Sequence, residues 1–273
     1  MAISVCFYGV RGSFPCPYAD YVKYGGSTAC IEIVNDKKDR LIIDAGIGIG
    51  RLGKNLTDAG VKNFNLLFTH YHLDHISGLP SFWPFFVSGR RIDIYASRDA
   101  LAYDLQTAVD RIFSEPLFPV SYKNVKADVV MHNFTGYDGF YIDSFFIKPY
   151  PLRHPGGSCG YRISYGNRTV SIVFDTTHDH DNPDPNVLAL MRDADMVIYD
   201  ANFTEAEFAT FHVYGHSTWE EGGRLAAMAH AGKYVIFHHN SFRNDAAMDV
   251  MAADVRARYP DAVIAIEGMT LTL

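Results

Sequence analysis

A chain of 273 residues that is 48% hydrophobic and 20% charged can bury a large core and is too apolar to be disordered. Nucleic-acid-binding domains usually carry a surplus of basic residues, whereas this chain has a net charge of −7. We therefore expect a small substrate and do not expect nucleic acid as a partner. The sequence has no long apolar run, no signal-peptide pattern and no paired cysteine spacing, so we expect a single cytoplasmic domain over residues 1–273, with free thiols and no membrane partner.

Short apolar runs that end at turn residues predict strands along most of the chain. These runs are residues 3–8, 30–34, 41–43, 65–68, 92–96, 145–150, 160–165, 169–174, 196–199, 234–237 and 263–266. The polar segment 35–39 predicts a hairpin between the second and third runs. Gly166-Asn167 predicts a tight turn between two later runs.

Apolar residues at helical spacing predict four helices, over residues 98–113, 185–192, 216–231 and 245–259. In the third helix Ser217 is the expected N-cap, with Glu220 three residues later. Residues 114–142 carry the weakest pattern and are predicted to form a loop or a lid near the site. The predicted strands must pair into sheets, and the predicted helices must bury their apolar sides against the faces of those sheets. We therefore expect an α+β fold in which two sheets pack together with helices outside.

A histidine-rich segment, Thr69-His70-Tyr71-His72-Leu73-Asp74-His75, follows the apolar run Leu66-Leu67-Phe68. His70 and His72 are two residues apart at a strand end, so their side chains leave on the same side. Asp74 and His75 follow the turn of the chain and can point to a neighbouring position. Imidazole nitrogens and carboxylate oxygens are suitable ligands for zinc, manganese or iron. The segment therefore predicts a metal site, in preference to a polar loop with surface histidines.

Further ligands are expected at the ends of other strands. His154, Asp175 and the pair His238-His239 each follow an apolar run, as His70 does. Functional residues collect on loops at one end of a rigid sheet. We therefore expect these side chains to meet the histidine-rich segment in the folded protein.

The order His70-x-His72-x-Asp74-His75, His154, Asp175 and a late histidine resembles the metallo-β-lactamase superfamily. The closest resemblance is to its phosphodiesterase-like branch, which includes ribonuclease Z and the phosphoribosyl cyclic phosphodiesterases. Four more stretches resemble that branch: Phe7-Tyr8-Gly9-Val10-Arg11-Gly12-Ser13, Tyr24-Gly25-Gly26-Ser27-Thr28, Asp44-Ala45-Gly46-Ile47-Gly48 and Gly215-His216-Ser217-Thr218. The resemblance covers nearly the whole chain and implies a four-layer αββα sandwich.

The resemblance also implies two divalent metal ions, with zinc as the first choice and manganese or iron as alternatives. One ion would be held by His70, His72 and His154, the other by Asp74, His75 and His239, and Asp175 would bridge them. His239 is preferred to His238 because the run His239-Asn240-Ser241-Phe242-Arg243 resembles an H-x-S-x-R run of the family. His238 is expected to pack within or beside its strand.

The implied reaction is attack of a metal-bridging hydroxide on the phosphorus of a small cyclic or simple phosphodiester. The expected catalytic residues are Asp74, which also binds metal, and His216, which would donate a proton or contact the phosphate. Asp200 is expected to orient His216. His178 and His180 are expected to be solvated loop residues, although they could line the pocket or capture metal.

Several alternatives stay open because one fold hosts many reactions. They are a ribonuclease Z-like RNA endonuclease, a thiolester or lactone hydrolase, and a non-catalytic metal- or nucleotide-binding sensor. A β-lactamase is disfavoured by Asp175 at the bridging position and by the missing secretion signal. A di-iron oxidoreductase is disfavoured because His72 stands where such relatives carry glutamate. Homodimers are common in the branch, so the resemblance allows a homodimer.

Overall fold

Alternation of buried and half-buried residues along the first strand shows how the chain divides into layers. In β1 (Ile3–Gly9) the side chains of Ile3, Val5 and Phe7 are fully buried, whereas those between them are partly exposed. This period of two is expected for a strand that packs one face against a second sheet.

The computed structural model describes residues 1–273 and contains fourteen strands. They are β1 (Ile3–Gly9), β2 (Cys30–Asn35), β3 (Arg40–Ile43), β4 (Asn63–Leu67), β5 (Arg91–Ser97), β6 (Asp128–Phe134), β7 (Phe140–Ile142), β8 (Phe145–Leu152), β9 (Ser158–Tyr165), β10 (Arg168–Val173), β11 (Met196–Asp200), β12 (Lys233–Phe237), β13 (Val263–Ile264) and β14 (Thr270–Thr272). They form two seven-stranded sheets, in the orders β14-β1-β2-β3-β4-β5-β6 and β13-β12-β11-β10-β9-β8-β7.

The chain contains seven α-helices, most of which cover the outer faces of these sheets. They are α1 (Ile49–Asp58), α2 (Leu73–Ile76), α3 (Leu105–Ile112), α4 (Pro185–Met191), α5 (Glu205–Phe211), α6 (Trp219–Met228) and α7 (Asp245–Arg258). The inner faces of the two sheets share one apolar core, which includes Phe7, Phe145 and Phe237. A second core lies between the first sheet and helices α1 and α3. A third core lies between the second sheet and helices α4, α6 and α7. The layers therefore run helix, sheet, sheet, helix, and the predicted αββα sandwich is confirmed.

Most of the predicted strands are confirmed, and the segments that differ have identifiable causes. The predicted hairpin between β2 and β3 forms with antiparallel register, and Gly166 takes a φ of 59° in the turn between β9 and β10. Residues 114–142 are not a simple loop, because β6 and β7 extend the edges of the two sheets there. Helices α1, α2 and α5 were not predicted.

Two helices begin later than their apolar patterns indicate. Helix α3 begins after Asp104, whose carboxylate accepts a hydrogen bond from the backbone N–H of Thr107. Helix α6 begins after Thr218, whose hydroxyl accepts from the backbone N–H of Glu221. Thr218 is therefore the N-cap in place of Ser217. None of the helices is both long enough and apolar enough to cross a bilayer.

The fold positions the candidate site at the ends of strands from both sheets. Strands β10, β11 and β12 pair in parallel, so their carboxyl ends lie at one edge of the second sheet. The end of β4 supplies the histidine-rich segment from the first sheet. Side chains that are more than a hundred residues apart in sequence therefore meet at this edge.

Candidate metal centre

Four donor atoms form the first half of the centre. The Nε2 of His154 lies 2.9 Å from the Nδ1 of His72 and 3.6 Å from the Oδ2 of Asp175. The Nε2 of His70 lies 3.5 Å from the same carboxylate oxygen. These four side chains could hold one metal ion between them.

Four more donor atoms form the second half at even spacing. The Nε2 of His75 lies 3.1 Å from the Nε2 of His238, 3.3 Å from Asp74 Oδ2 and 3.3 Å from Asp175 Oδ1. The Nε2 of His238 lies 3.2 Å from Asp74 Oδ2 and 3.3 Å from Asp175 Oδ1. Tetrahedral zinc with bonds of about 2.0–2.1 Å would separate its ligand atoms by roughly 3.3 Å, so this set fits such an ion. We call the two halves together the histidine–aspartate centre.

Asp175 belongs to both halves because its two carboxylate oxygens face in different directions. Oδ2 points toward His70 and His154, and Oδ1 points toward His75 and His238. The side chain is 1% exposed. Asp175 Oδ1 and His70 Nε2 are buried without a hydrogen-bond partner. Buried polar atoms rarely stay unpaired, so these two atoms fit a bound cation.

Hydrogen bonds behind the centre fix the tautomers of its histidines. The hydroxyl of Thr69 donates to Asp44, so its oxygen accepts from the Nδ1–H of His70, at 3.1 Å. His75 Nδ1 donates to Asp44 Oδ2 at 2.7 Å, and His154 Nδ1 donates to the carbonyl oxygen of Gly215 at 2.8 Å. Each of these rings therefore keeps the lone pair of its Nε2 for the centre. Such bonds orient metal-binding histidines and raise their basicity.

The side chains of the histidine–aspartate centre by themselves produce a strong electrostatic conflict. Burial, and then the neighbouring His75, lowers the pKa of His70 well below its ordinary value. Burial also opposes protonation of His75, but Asp175, Asp74 and Asp44 outweigh it and raise its pKa well above the ordinary value. Three carboxylates, those of Asp175, Asp74 and Asp44, therefore lie close to the one imidazole of His75. Bound divalent cations would neutralise this charge directly.

Three residues of this region have left-handed backbone conformations within two residues of a strand end. Asp44, Asp175 and His238 have φ values of 58°, 48° and 60°. Such conformations cost non-glycine residues roughly 1–3 kcal/mol each and persist only where the surrounding structure imposes them. Here they turn the side chains of Asp175 and His238 into the centre and that of Asp44 behind it. Gly12 is required beside them, because a Cβ there would collide with the ring of His238.

The structure corrects the choice between the two adjacent histidines. His238 lies in the centre, whereas the ring of His239 points away from it. The Nε2 of His239 donates to the carbonyl oxygen of Ala265 at 2.8 Å. Burial, and then the positive charge of Arg11, lowers the pKa of His239 to about 3. His239 is therefore a neutral packing residue, and it is His238 whose ring lies among the donor atoms.

Variants of this pair should separate the two roles. The change His238→Ala is expected to release at least one metal ion per chain, because it removes one of four donors. The change His239→Ala should keep the metal and destabilise the fold by roughly 1–3 kcal/mol, because it leaves the buried carbonyl of Ala265 unpaired. Elemental analysis and thermal unfolding measure both effects. Metal loss in His239→Ala together with full metal content in His238→Ala would reverse the assignment.

The expected pair of His216 and Asp200 lies beside the centre. The Nδ1 of His216 donates to Asp200 Oδ2 at 3.0 Å and lies 3.7 Å from Asp175 Oδ2. Burial alone would lower the pKa of His216, but the Asp200 carboxylate and its hydrogen bond raise it to about 9. Asp200 is fully buried and therefore holds the ring in a fixed orientation.

The centre opens into a cavity of about 870 Å³. His72, Asp74, His154, Asp175 and His216 lie on its wall. The rest of the wall is largely apolar and includes Phe14, Leu73, Phe203, Phe211, Val213, Tyr214 and Phe242. No lysine or arginine is among its lining residues.

Comparison with known proteins gives the family of the chain. The family model described as the Beta-lactamase superfamily domain matches residues 39–239. The chain belongs to this superfamily. The match extends from just before β3 to the end of the centre, and so includes His70, Asp175 and His238. This superfamily member is a metal-dependent hydrolase, in agreement with its clustered histidines and aspartates.

Individual relatives agree with this membership. The chain is 24% identical to ribonuclease Z of Haloarcula marismortui, over 98% of this chain and 96% of that protein. It has the fold of the metallo-beta-lactamase fold protein YhfI from Bacillus subtilis, with a TM-score of 0.75 and 19% identity over 100% and 99% of the two chains. A diphosphatase from the PhnP family gives a TM-score of 0.71 and 17% identity over 100% and 98%. The name ribonuclease Z denotes action on RNA, so our expectation that nucleic acid is not a substrate is not supported.

One contributor to the centre was missed in the sequence. Asp44 positions His75 directly and His70 through Thr69, although it is 25 residues before Thr69. It lies in the stretch Asp44-Ala45-Gly46-Ile47-Gly48, which carried part of the family resemblance without an assigned role. The available signal was the position of Asp44 directly after the predicted strand 41–43, although the sequence does not show which side chains it contacts.

Proposed function

We propose that this superfamily member hydrolyses a small cyclic or simple phosphodiester. The observation that carries the proposal is that two four-donor sets share Asp175 and lie beside the His216–Asp200 pair, at the wall of one cavity. In this arrangement two cations, a proton donor and a bound substrate would lie within reach of one another. A thiolester would depend less on the proton donor, because a thiolate leaves more readily than an alkoxide.

The residues that would hold the cations follow from the donor sets. His70, His72, His154 and Asp175 would hold one ion, and Asp74, His75, His238 and Asp175 would hold the other. When bound, two divalent ions acidify a water molecule that they share and neutralise charge on phosphoryl oxygens. The backbone N–H of Ser13 donates to Asp74 Oδ2 at 2.6 Å and so fixes the orientation of that carboxylate.

His216 would act on the leaving group. Asp200 binds its Nδ1, so its Nε2 is free to meet a substrate in the cavity. The carboxylate also favours the protonated ring, because an adjacent negative charge stabilises the imidazolium. In the proposed step the Nε2–H proton passes to the alkoxide oxygen as the phosphorus–oxygen bond breaks. General acids of this kind contribute roughly 10²–10⁴-fold in rate.

The cavity wall supports a compact substrate with an apolar or aromatic group. A phosphodiester carries one negative charge, which the proposed cations can neutralise. The aromatic side chains of Phe14, Phe203, Phe211, Tyr214 and Phe242 offer faces on which a flat ring can pack. A cyclic nucleotide has both properties, whereas a ribose cyclic phosphate has the charged phosphodiester without the aromatic ring.

An RNA substrate is the second candidate, and the name of the relatives is what favours it. A polymer presents many phosphates, and binding it normally requires lysine or arginine contacts to several of them. The cavity wall offers none, so an RNA would have to find such contacts outside it.

A substrate screen coupled to metal analysis tests the proposal. The metal-loaded protein, with zinc or manganese, would be assayed on bis-p-nitrophenyl phosphate, cyclic nucleotides, ribose cyclic phosphates, a precursor tRNA, a thiolester and a lactone. We expect turnover of the small phosphodiesters that depends on bound metal and disappears on chelation. Cleavage of precursor tRNA alone would favour the second candidate. Tight nucleotide binding without turnover under any metal would indicate a sensor and contradict the proposal.

A further inference from the structure

A second group of metal-binding side chains lies outside the histidine–aspartate centre. His178 and His180 follow β10 on the loop that begins with Asp175, and Glu205 is the first residue of α5. We call these three residues the His178 cluster. None of them belongs to either donor set of the centre, and their potential ligand atoms lie within 4.8 Å of one another.

The spacing within the His178 cluster suits a transition-metal ion. The Nε2 atoms of His178 and His180 lie 3.4 Å apart, close to the roughly 3.3 Å that separates two nitrogen ligands of tetrahedral zinc. The carboxylate of Glu205 completes the triangle, with Oε2 2.9 Å from the Nε2 of His180 and Oε1 3.9 Å from that of His178. Two imidazoles and one carboxylate are a common protein ligand set for zinc.

Neighbouring groups hold two of these ligands in place. The Nδ1 of His178 is hydrogen-bonded to the hydroxyl oxygen of Ser217 at 2.8 Å, which leaves Nε2 facing the other ligands. The ring of His178 stacks on Phe208 with 3.9 Å between ring centroids and 11° between planes. The hydroxyl of Thr218 donates to Glu205 Oε1 at 2.6 Å. Partners of this kind orient the ligands of metal sites.

The third ligand is reachable from solvent. The side chain of His180 is 50% exposed, so an incoming ion and a water ligand can reach the cluster. On its other side, the Nδ1 of His180 lies 3.6 Å from Glu221 Oε2, and Glu221 in turn pairs with Arg224. Because Arg224 already offsets the charge of Glu221, the carboxylate of Glu205 remains to offset the charge of a cation.

We propose that the His178 cluster binds a third divalent cation of the zinc type, separate from the histidine–aspartate centre. The bound ion cross-links the loop that follows Asp175 to the start of α5. Through the bond between His178 and Ser217 it also braces the residue next to His216. Its function is to hold the loop after Asp175 against α5. Asp175 and Phe211, the last residue of α5, both line the cavity.

Zinc retention measures this site directly. Chelator-stripped protein would be dialysed against buffered micromolar zinc and analysed for metal per chain. We expect the wild-type chain to retain one zinc ion more than His180→Ala and one more than Glu205→Gln. The matched control is His230→Ala, because His230 is an exposed imidazole that lies 3.9 Å from a single carboxylate, that of Asp193. The control should retain as much zinc as the wild type.

Two further measurements separate this result from misfolding and from the centre itself. Zinc should raise the melting temperature of the wild type more than that of either cluster variant, since a ligand that binds only the folded state stabilises it. The difference of one zinc ion should persist when all chains also carry His75→Ala, which disables the centre from a segment that is separate from the loop of His178 and His180. Equal zinc content and equal zinc-dependent melting shifts in the wild type, His180→Ala and Glu205→Gln would overturn the proposal, and the three residues would then form a hydrogen-bonded network only.

Discussion

Replacing Asp175 with alanine should release at least one metal ion per chain and reduce phosphodiester turnover by more than about 100-fold. The magnitude follows because loss of a partner behind a metal ligand already costs about 10–100-fold, and Asp175 faces both donor sets directly. Without its carboxylate, the imidazoles of His70 and His238 would also lose their nearest shared negative charge. Elemental analysis and steady-state kinetics on bis-p-nitrophenyl phosphate provide the two readouts.

Two companion variants sharpen the interpretation of Asp175→Ala. Asp175→Asn keeps the size of the side chain and removes its charge, so metal loss in both variants would assign the effect to charge. Asp181→Ala alters an exposed aspartate on the same loop and should keep both metal and turnover. Circular dichroism would verify folding. Full activity with full metal content in Asp175→Ala would eliminate its bridging role.

Replacing His216 with alanine should slow hydrolysis according to the leaving group while the metal content stays unchanged. For esters with a poorly leaving alkoxide we expect a loss of about 10²–10⁴-fold, because the proton that the alkoxide needs is no longer supplied. For p-nitrophenyl esters we expect a small loss, since p-nitrophenolate leaves without protonation. Rates measured across a series of leaving groups give a steeper dependence on leaving-group basicity in the variant.

The control for this experiment is His212→Ala. His212 is an exposed histidine four residues before His216 and does not line the cavity. Its replacement should leave the leaving-group dependence unchanged. Asp200→Asn should shift the dependence in the same direction as His216→Ala, because Asp200 orients His216 and favours its protonated form. If His216→Ala had the wild-type rate on good and poor leaving groups alike, His216 would have no part in the proton transfer.

Most of the fold could be predicted from local sequence because the central strands of both sheets bury at least one complete face. Apolar runs such as those of β10, β11 and β12 could be recognised from composition and length alone. The edge strands β6 and β7 were missed because several of their residues are exposed or half-buried, which weakens the apolar pattern. Helix α5 was missed for the same reason, since none of its residues is fully buried.

The histidine-rich segment, the family resemblance and six candidates for one site could be recognised in the sequence, namely His70, His72, Asp74, His75, His154 and Asp175. The choice between His238 and His239 required the folded chain. Neighbouring residues at a strand end point in different directions, and which of them faces the centre depends on the register of β12 and on the left-handed turn at His238. The roles of Asp44 and of the His178 cluster likewise depend on contacts between segments far apart in sequence, which no local pattern encodes.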